Sequence, residues 1–220
     1  MLGQKRIPSR EGGIEIVVEE LSTRMVKLGY QVTCYNRGGH HVSGKEFDGT
    51  KLREYEGVKL KTVPTINRKG LAAVSSSFFG ALASAFGRYD IVHIHAEGPA
   101  AMCWLPKLFG KRVIVTVHGL DHQRSEKWGK FARNYIMLGE KNAVRYADEI
   151  IVLSKCVQQY FSDTYGRKTV FISNGVERPK TLSAKLIKEK YGLDKNSYIL
   201  FLARLVPEKG LQYLIEAFKQ

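Results

Sequence analysis

A histidine and a glycine that close an apolar run can do chemistry, and VIVTVHGLD, residues 113–121, holds such a pair. The β-branched run reads as a buried parallel strand, which puts His118 and Gly119 where its carboxyl end opens onto a crevice. Open α/β sheets bind their ligands there. A neutral imidazole at that edge can donate to a sugar hydroxyl or a backbone carbonyl, and a pKa near neutrality also permits proton transfer. Gly119 lets a phosphate or a sugar ring come close to the backbone. A packed structural histidine is the competing reading. His93 and His95, in VHIH, lie two apart and so face one side of a strand. His93 reads as structural, whereas His95, nearer the strand end, can reach the crevice with Glu97 and Gly98. With His118 they mimic a metal cluster, but no Cys, Asp or Glu completes a ligand set, and no metal is assigned.

Two more groups have the right residue types. Gly12–Gly13 precede a helix, where two glycines permit close backbone approach and free N–H groups suit an anion. The spacing is not the dinucleotide fingerprint G-x-G-x-x-G, and an ordinary turn is the alternative. Arg204 and Lys209 flank LVPEK after a strand-like run. A planar fork and a point charge at that mouth can hold a diphosphate, or they are two solvated cations. Asn174–Gly175 reads as a turn and a possible hinge.

Positioning these residues takes alternating strands and helices. Only Met1 and Leu2 precede Gly3, so a first strand there is very short. Ile14, Val17, Val18, Leu21, Met25 and Leu28 repeat at helical spacing, and Gly29 ends the run. QVTCY, GVKLKTVP, YDIVHIH, KRVIVTVHG, ADEIIVLS and KTVFISNG read as strands, with Ser154 capping the helix after the fifth. AEGPAAMCWLPKLFG supplies a loop and a helix, and Phe131–Tyr146 another helix. Residues 71–86 carry no charge and many small side chains. They suit a buried or interdomain helix, or one that touches lipid or an acceptor, although they are too short to span a bilayer. The alternation predicts an α/β fold, a Rossmann-like parallel sheet with helices on both faces and all strand ends on one edge. Residues 1–178 form that domain, 179–198 a linker region with a short amphipathic helix, and 199–220 the first strand and helix of an incomplete second domain. One strand and one helix bury too little to form a core; the alternative is that they complete the first domain.

The net charge is +14, spread along the chain, which favours anionic partners such as nucleic acid, an acidic membrane surface or a phosphate-bearing small molecule. Basic residues are interspersed with acids, and no winged, zinc or RNP signature supports nucleic-acid binding. Three cysteines, Cys34, Cys103 and Cys156, lack CxxC spacing and read as reduced, packed thiols of a cytoplasmic protein. No apolar run is long enough for a membrane span, and no hydrophobic signal segment opens the chain.

In order along the chain, EGGIE, HIHAEGP, VTVHGLD, ADEIIVLS, ISNGVE and LARLVPEKG resemble the retaining GT-B glycosyltransferases of family four. The opening, GQKRIPSREGGIEIVVEELSTR, is similar to the bacterial branch that builds capsular or cell-wall polysaccharide. The resemblance implies two facing Rossmann-like domains with the site in the cleft between them. It implies transfer of a sugar from a nucleotide sugar with retention and without a metal. Gly12 and Gly13 match the glycine loop near the donor diphosphate and the acceptor, and His118 the histidine that contacts the transferred sugar. Arg204 and Lys209 match the pair that neutralises the diphosphate, and SNGVE the segment leading to the second domain.

The family's first strand is largely absent before Gly3, and its later E-x7-E segment is not among these residues. The chain alone is therefore expected to be inactive or nearly so. The acceptor is expected to be a growing cell-surface glycan or a lipid diphosphate. With the basic field, that favours a cytoplasmic protein peripheral at the inner face of the plasma membrane. Another GT-B enzyme, such as a sugar-nucleotide epimerase, is the alternative; a basic nucleic-acid-binding module is a more remote one.

Overall fold

The computed structural model describes residues 1–10, 12–39, 52–68, 70–120, 129–176, 178, 181–203 and 205–219. Readings placed on His40, His41, Asp121, the polar stretch after it to residue 128, Glu177, Pro179 and Arg204 lie outside the described residues. The chain divides into two compact units, Met1–Gly175 and Val176–Gln220.

The first unit alternates as the sequence predicts. Its helices are α1 Gly13–Lys27, α2 Leu71–Phe86, α3 Glu97–Ala100, α4 Trp104–Leu108, α5 Lys130–Tyr146 and α6 Lys155–Tyr165. Its strands are β1 Thr33–Arg37, β2 Glu54–Tyr55, β3 Val58–Val63, β4 Ile91–His95, β5 Arg112–Val117, β6 Glu149–Val152 and β7 Val170–Phe171. Strands β4-β5-β6-β7 run parallel in that order, and β1 runs parallel to β3, with β2 antiparallel on the outside of β3.

Leu2 joins the two sheets. Its N–H donates to the His93 carbonyl at 3.0 Å, and its carbonyl accepts from the His95 N–H at 2.9 Å. On the other side the Tyr35 N–H donates to the Met1 carbonyl at 2.9 Å. A minimal strand thus sits between the two sheets. Gly3 then turns away at φ +113°, where a Cβ would lie 2.1 Å from the His95 carbonyl oxygen. Only glycine fits both the backbone and the space.

Both faces of the sheet are covered, and the period of two shows how. Cys34, Val58 and Leu60 pack with Val18 of α1 in one cluster. Tyr35 and Val63, on the opposite face, pack with Val92, Ile94, Val113, Val115, Ile150, Val152 and Phe161 in the larger core. The Ser154 cap forms as expected, its Oγ accepting the Val157 N–H at 3.2 Å. Helix α2 buries Ser75, Ser76, Ser77, Gly80, Ala81, Ser84 and Ala85 and leaves Leu71, Phe78 and Phe86 exposed. Its buried serines satisfy themselves within the helix: Ser77 donates to the Ala73 carbonyl at 2.6 Å and Ser84 to the Ala81 carbonyl at 2.8 Å. That local pairing lets an uncharged, serine-rich helix turn a face inward.

Several expectations need correction. The helix after β4 is two short pieces. Pro106 has no N–H to offer Met102, whose carbonyl instead takes the Leu105 N–H at 3.1 Å. KTVFISNG pairs over only two residues, β7. Cys34 and Cys103 are buried, but Cys156 is exposed on α6 rather than packed.

The second unit contains helix α7 Lys185–Tyr191, a 3-10 turn Pro207–Lys209 and helix α8 Leu211–Phe218. Neither helix buries a residue. Residues 198–203, expected as a strand, pair with no strand among the described residues. A strand is completed by a neighbour's hydrogen bonds, and the second unit offers none there.

Candidate functional site

Parallel pairing of Leu2 with β4, and of β4 with β5, brings the chain out of the sheet at one edge three times. The edge therefore collects residues 3–10, Gly12–Gly13, Ala96–Gly98 and His118–Gly119. Their local backbone is specialised: Ala96 has φ +76° and Gly119 φ +149°, both outside the range most side chains adopt.

The histidines form a stack that runs inward from this edge. His118 Nε2 and His95 Nδ1 are 3.2 Å apart, and the rings of His93 and His95 lie 4.2 Å apart. His93 Nε2 pairs with Thr116 Oγ1 at 2.7 Å. His93 and His118 are each partly exposed, whereas His95 between them is fully buried, so the expectation that it reaches the crevice is overturned. Glu97 is buried as well, at 1% exposure in the first turn of α3. Burial lowers all three histidine pKa values, that of His118 to about 4 and that of His93 to about 3. His95 is lowered further by the neighbouring histidines. At neutral pH the stack is uncharged. The near-neutral pKa expected of His118 is not found, because desolvation penalises the imidazolium.

The glycine pair divides into two roles. Gly12 has φ +94°, and a Cβ there would lie 2.0 Å from Glu15 Oε2, so the turn itself requires glycine. Gly13 opens α1, with no atom within 4 Å of its Cβ position. The Gly13 side of this helix start is open, whereas the Glu15 carboxylate lies against the Gly12 side. Two carboxylates on α1, one turn apart, hold the loop that precedes it. Glu15 Oε1 accepts the Lys5 N–H at 2.8 Å, and Glu19 Oε2 accepts the Ser9 N–H at 3.0 Å. Asn36, near the end of β1, grips Ile7 through both its N–H and its carbonyl, at 3.1 and 2.9 Å.

Arg37 and Tyr135, neither of them singled out in the sequence, interact electrostatically at the same edge, with Glu15 beside Arg37. Arg37 Nε and the Tyr135 hydroxyl are buried without a partner among the described residues. Burial pushes the Tyr135 phenol up to about 12, so it is a neutral donor beside a cation. A cation ending an apolar strand was the one available signal for Arg37; Tyr135 gave none. The Tyr135 ring reaches to 3.9 Å from the position a Cβ would take on Gly98.

Gly12, Gly13, His118 and Gly119 thus belong to one unit and one sheet edge. Lys209 lies in the second unit, exposed on the 3-10 turn before α8. Asn174–Gly175 closes the first unit. Among the described residues no group of three or more His, Cys, Asp or Glu is arranged to hold a metal ion. No helix among them is long and apolar enough to cross a membrane.

Comparison with known proteins bears on the family and the fold. The family model described as Glycosyltransferase Family 4 matches residues 11–178. The uncharacterized glycosyltransferase YqgM of Bacillus subtilis (strain 168) is 30% identical over 134 residues, 60% of this chain and 35% of that protein. The alpha-D-kanosaminyltransferase of Streptomyces kanamyceticus is 26% identical over 145 residues, 57% of this chain and 36% of that protein. The chain spans about a third of the length of these curated relatives. The crystal structure of HepE from Anabaena in complex with UDP superposes with a TM-score of 0.67 at 15% identity, over 99% of this chain and 56% of that one. Its complex with UDP and glucose gives 0.69 at 16% identity, with the same coverage. At those identities the likeness speaks for the fold, a parallel α/β sheet flanked by helices.

Proposed function

Because the chain belongs to glycosyltransferase family 4, we propose that it is the acceptor-side domain, with the opening of the donor domain at 199–220, of a sugar-transferring enzyme. The observation that carries this reading is the convergence of His118, Gly119 and the Gly12–Gly13 helix start on one edge of a parallel sheet. Transfer runs from a nucleotide sugar to a growing cell-surface glycan or a lipid diphosphate, with retention at the anomeric carbon. The UDP and glucose bound to HepE support a nucleoside-diphosphate sugar as donor.

The roles follow from charge. Departure of the nucleoside diphosphate builds negative charge on its leaving oxygen, and fixed cations there stabilise the transition state. Arg204 and Lys209 supply that charge and take the part a divalent ion plays in metal-dependent enzymes. Neutral His118 bonds to an oxygen of the transferred sugar, with Gly119 leaving room for the ring. The start of α1 at Gly12–Gly13 meets a phosphate. Attack by the acceptor on the face the leaving phosphate vacates accounts for retention. The positive net charge and the exposed apolar residues of α2 support an acceptor presented at an anionic membrane face.

A radiolabelled panel of nucleotide sugars, assayed with lipid-diphosphate acceptors, tests the reading. The 220-residue chain is expected to show little or no turnover. A longer protein that adds the rest of a nucleotide-binding domain is expected to transfer sugar without added metal. Robust turnover by the chain alone, or no transfer by the longer protein from any donor, overturns it.

A further inference from the structure

We propose that His95 is a positioning residue that fixes the tautomer of His118. It donates its Nδ1–H to His118 Nε2, so that His118 presents Nδ1–H to the crevice. The inference rests on the sugar-transfer reading only for what His118 meets there; the tautomer itself follows from the geometry of the stack.

The 3.2 Å contact between His95 Nδ1 and His118 Nε2 has room for one hydrogen, and two arrangements supply it. In the first, His95 donates from Nδ1 and its Nε2 is a bare lone pair. In the second, His118 donates from Nε2, and neutral His95 must carry its own hydrogen on Nε2. The residue is fully buried, and that Nε2 has no hydrogen-bond partner. An orphaned buried N–H is rarer in proteins than an under-satisfied acceptor, so the first arrangement is favoured. Turning the ring over offers no escape, since it puts Cδ2 against His118 and forfeits the one bond His95 side-chain nitrogen makes. His93 does not alter the choice, because its own Nε2 is taken by Thr116 Oγ1 at 2.7 Å.

The consequence concerns what His118 recognises. With its Nε2 lone pair committed inward, the remaining nitrogen, Nδ1, makes no hydrogen bond to a described residue and is not among the buried unpartnered atoms. It offers a neutral N–H to an oxygen, either a sugar hydroxyl or a phosphoryl oxygen. His118 is therefore a donor that orients its ligand, and not a general base. This is the reverse of the Nε2–H form that free neutral histidine prefers, so an environmental cause is required and can be measured.

The test uses the chain labelled with ¹⁵N-histidine, without any ligand. Long-range ¹H–¹⁵N correlation spectra at pH 7.5 report which nitrogen of each of its 6 histidines is protonated, with assignments from H93Q and H118Q. The expected result is Nδ1–H at both His95 and His118. Nε2–H at either, or an even mixture, overturns the proposal from the unsubstituted protein alone. Two variants then ask whether His95 is the cause. In H95N the side-chain amide N–H takes the place of Nδ1–H, and His118 is expected to keep its tautomer. In H95F, with folding checked by its amide spectrum, the His118 population is expected to invert to mostly Nε2–H. An unchanged His118 in a folded H95F protein also overturns the proposal. A failed transfer assay would count against the sugar-transfer reading and leave the tautomer result standing.

Discussion

At the scale of single residues, the histidine stack gives the first unit a liability in acid. Folded His93, His95 and His118 have pKa values below the ordinary 6.5, so the unfolded chain takes up protons first as pH falls. Their stability contribution is complete above about pH 6.5 and is lost as pH drops towards about 4 for His118 and about 3 for His93. Each histidine adds a slope of up to about 1.4 kcal/mol per pH unit within that window. Urea midpoints at pH 7.5, 6.0 and 5.0 should fall progressively, in a range where most carboxylates are ionised in both states. A flat profile would show that the stack is protonated in the native protein. The two glycines make a second test. Gly13→Ala, at an unstrained helix start with open space, is expected to be neutral or to stabilise by about 0.4–1 kcal/mol. Gly12→Ala, with φ +94° and Glu15 in the way, should cost about 1–3 kcal/mol in a thermal melt. His118, Gly119, Gly12 and Gly13 were legible because strand ends and helix starts announce themselves locally. The burial of His95 was not, since it depends on Leu2 pairing from the far end of the sequence. Arg37 and Tyr135 met only once the sheet had folded.

At the scale of elements, α5 packs on α3 at backbone contact distance. A Cβ on Gly139 would lie 1.8 Å from the Glu97 carbonyl oxygen and 2.8 Å from its carbon. Both are backbone atoms and cannot rotate aside. Gly139→Ala should therefore prise α5 from α3 and destabilise the unit by about 1–3 kcal/mol in urea titration. Leu138→Ala, at a half-exposed position beside it, serves as the control and should change stability by no more than about 0.5 kcal/mol. Equal effects at the two positions would sink the packing argument. Glu97 and Gly98 follow His95 after one intervening residue, Ala96, so the same contact holds the loop beside the histidines. Period and punctuation gave the strong elements: α1, α2 and α5 lie within about two residues of their expected bounds, and β3 to β6 follow their apolar runs. What escaped were short pieces set by tertiary hydrogen bonds. The two-residue β2 exists only because Glu54 and Tyr55 pair with β3. Gly139 looked like an ordinary helix glycine until its partner helix was in view.

At the scale of the molecule, the two units differ in how much they bury. The first holds the clusters around Val115 and Val18, whereas Leu186, Leu200, Leu202, Tyr213 and Phe218 of the second are all more than two thirds exposed. Unit two therefore has little hydrophobic burial to offset the entropy of ordering it. Hydrogen exchange on the whole chain should show this directly. Amides of β4, β5 and β6 are expected to open only with global unfolding, while those of α7 and α8 exchange orders of magnitude faster. Protection of α8 equal to that of β5 would mean that the second unit folds on its own terms, against its reading as the opening of a larger domain. That reading was available from the sequence because an apolar run and one helix at 199–220 cannot enclose a core. Where the second unit stands relative to His118 was never a property of local residues. If Arg204 and Lys209 serve the same diphosphate as the α1 start, the longer protein should lose transfer on Lys209→Ala while its affinity for an acceptor analogue stays unchanged. A matched loss of acceptor affinity would instead place Lys209 on the acceptor's side of the reaction.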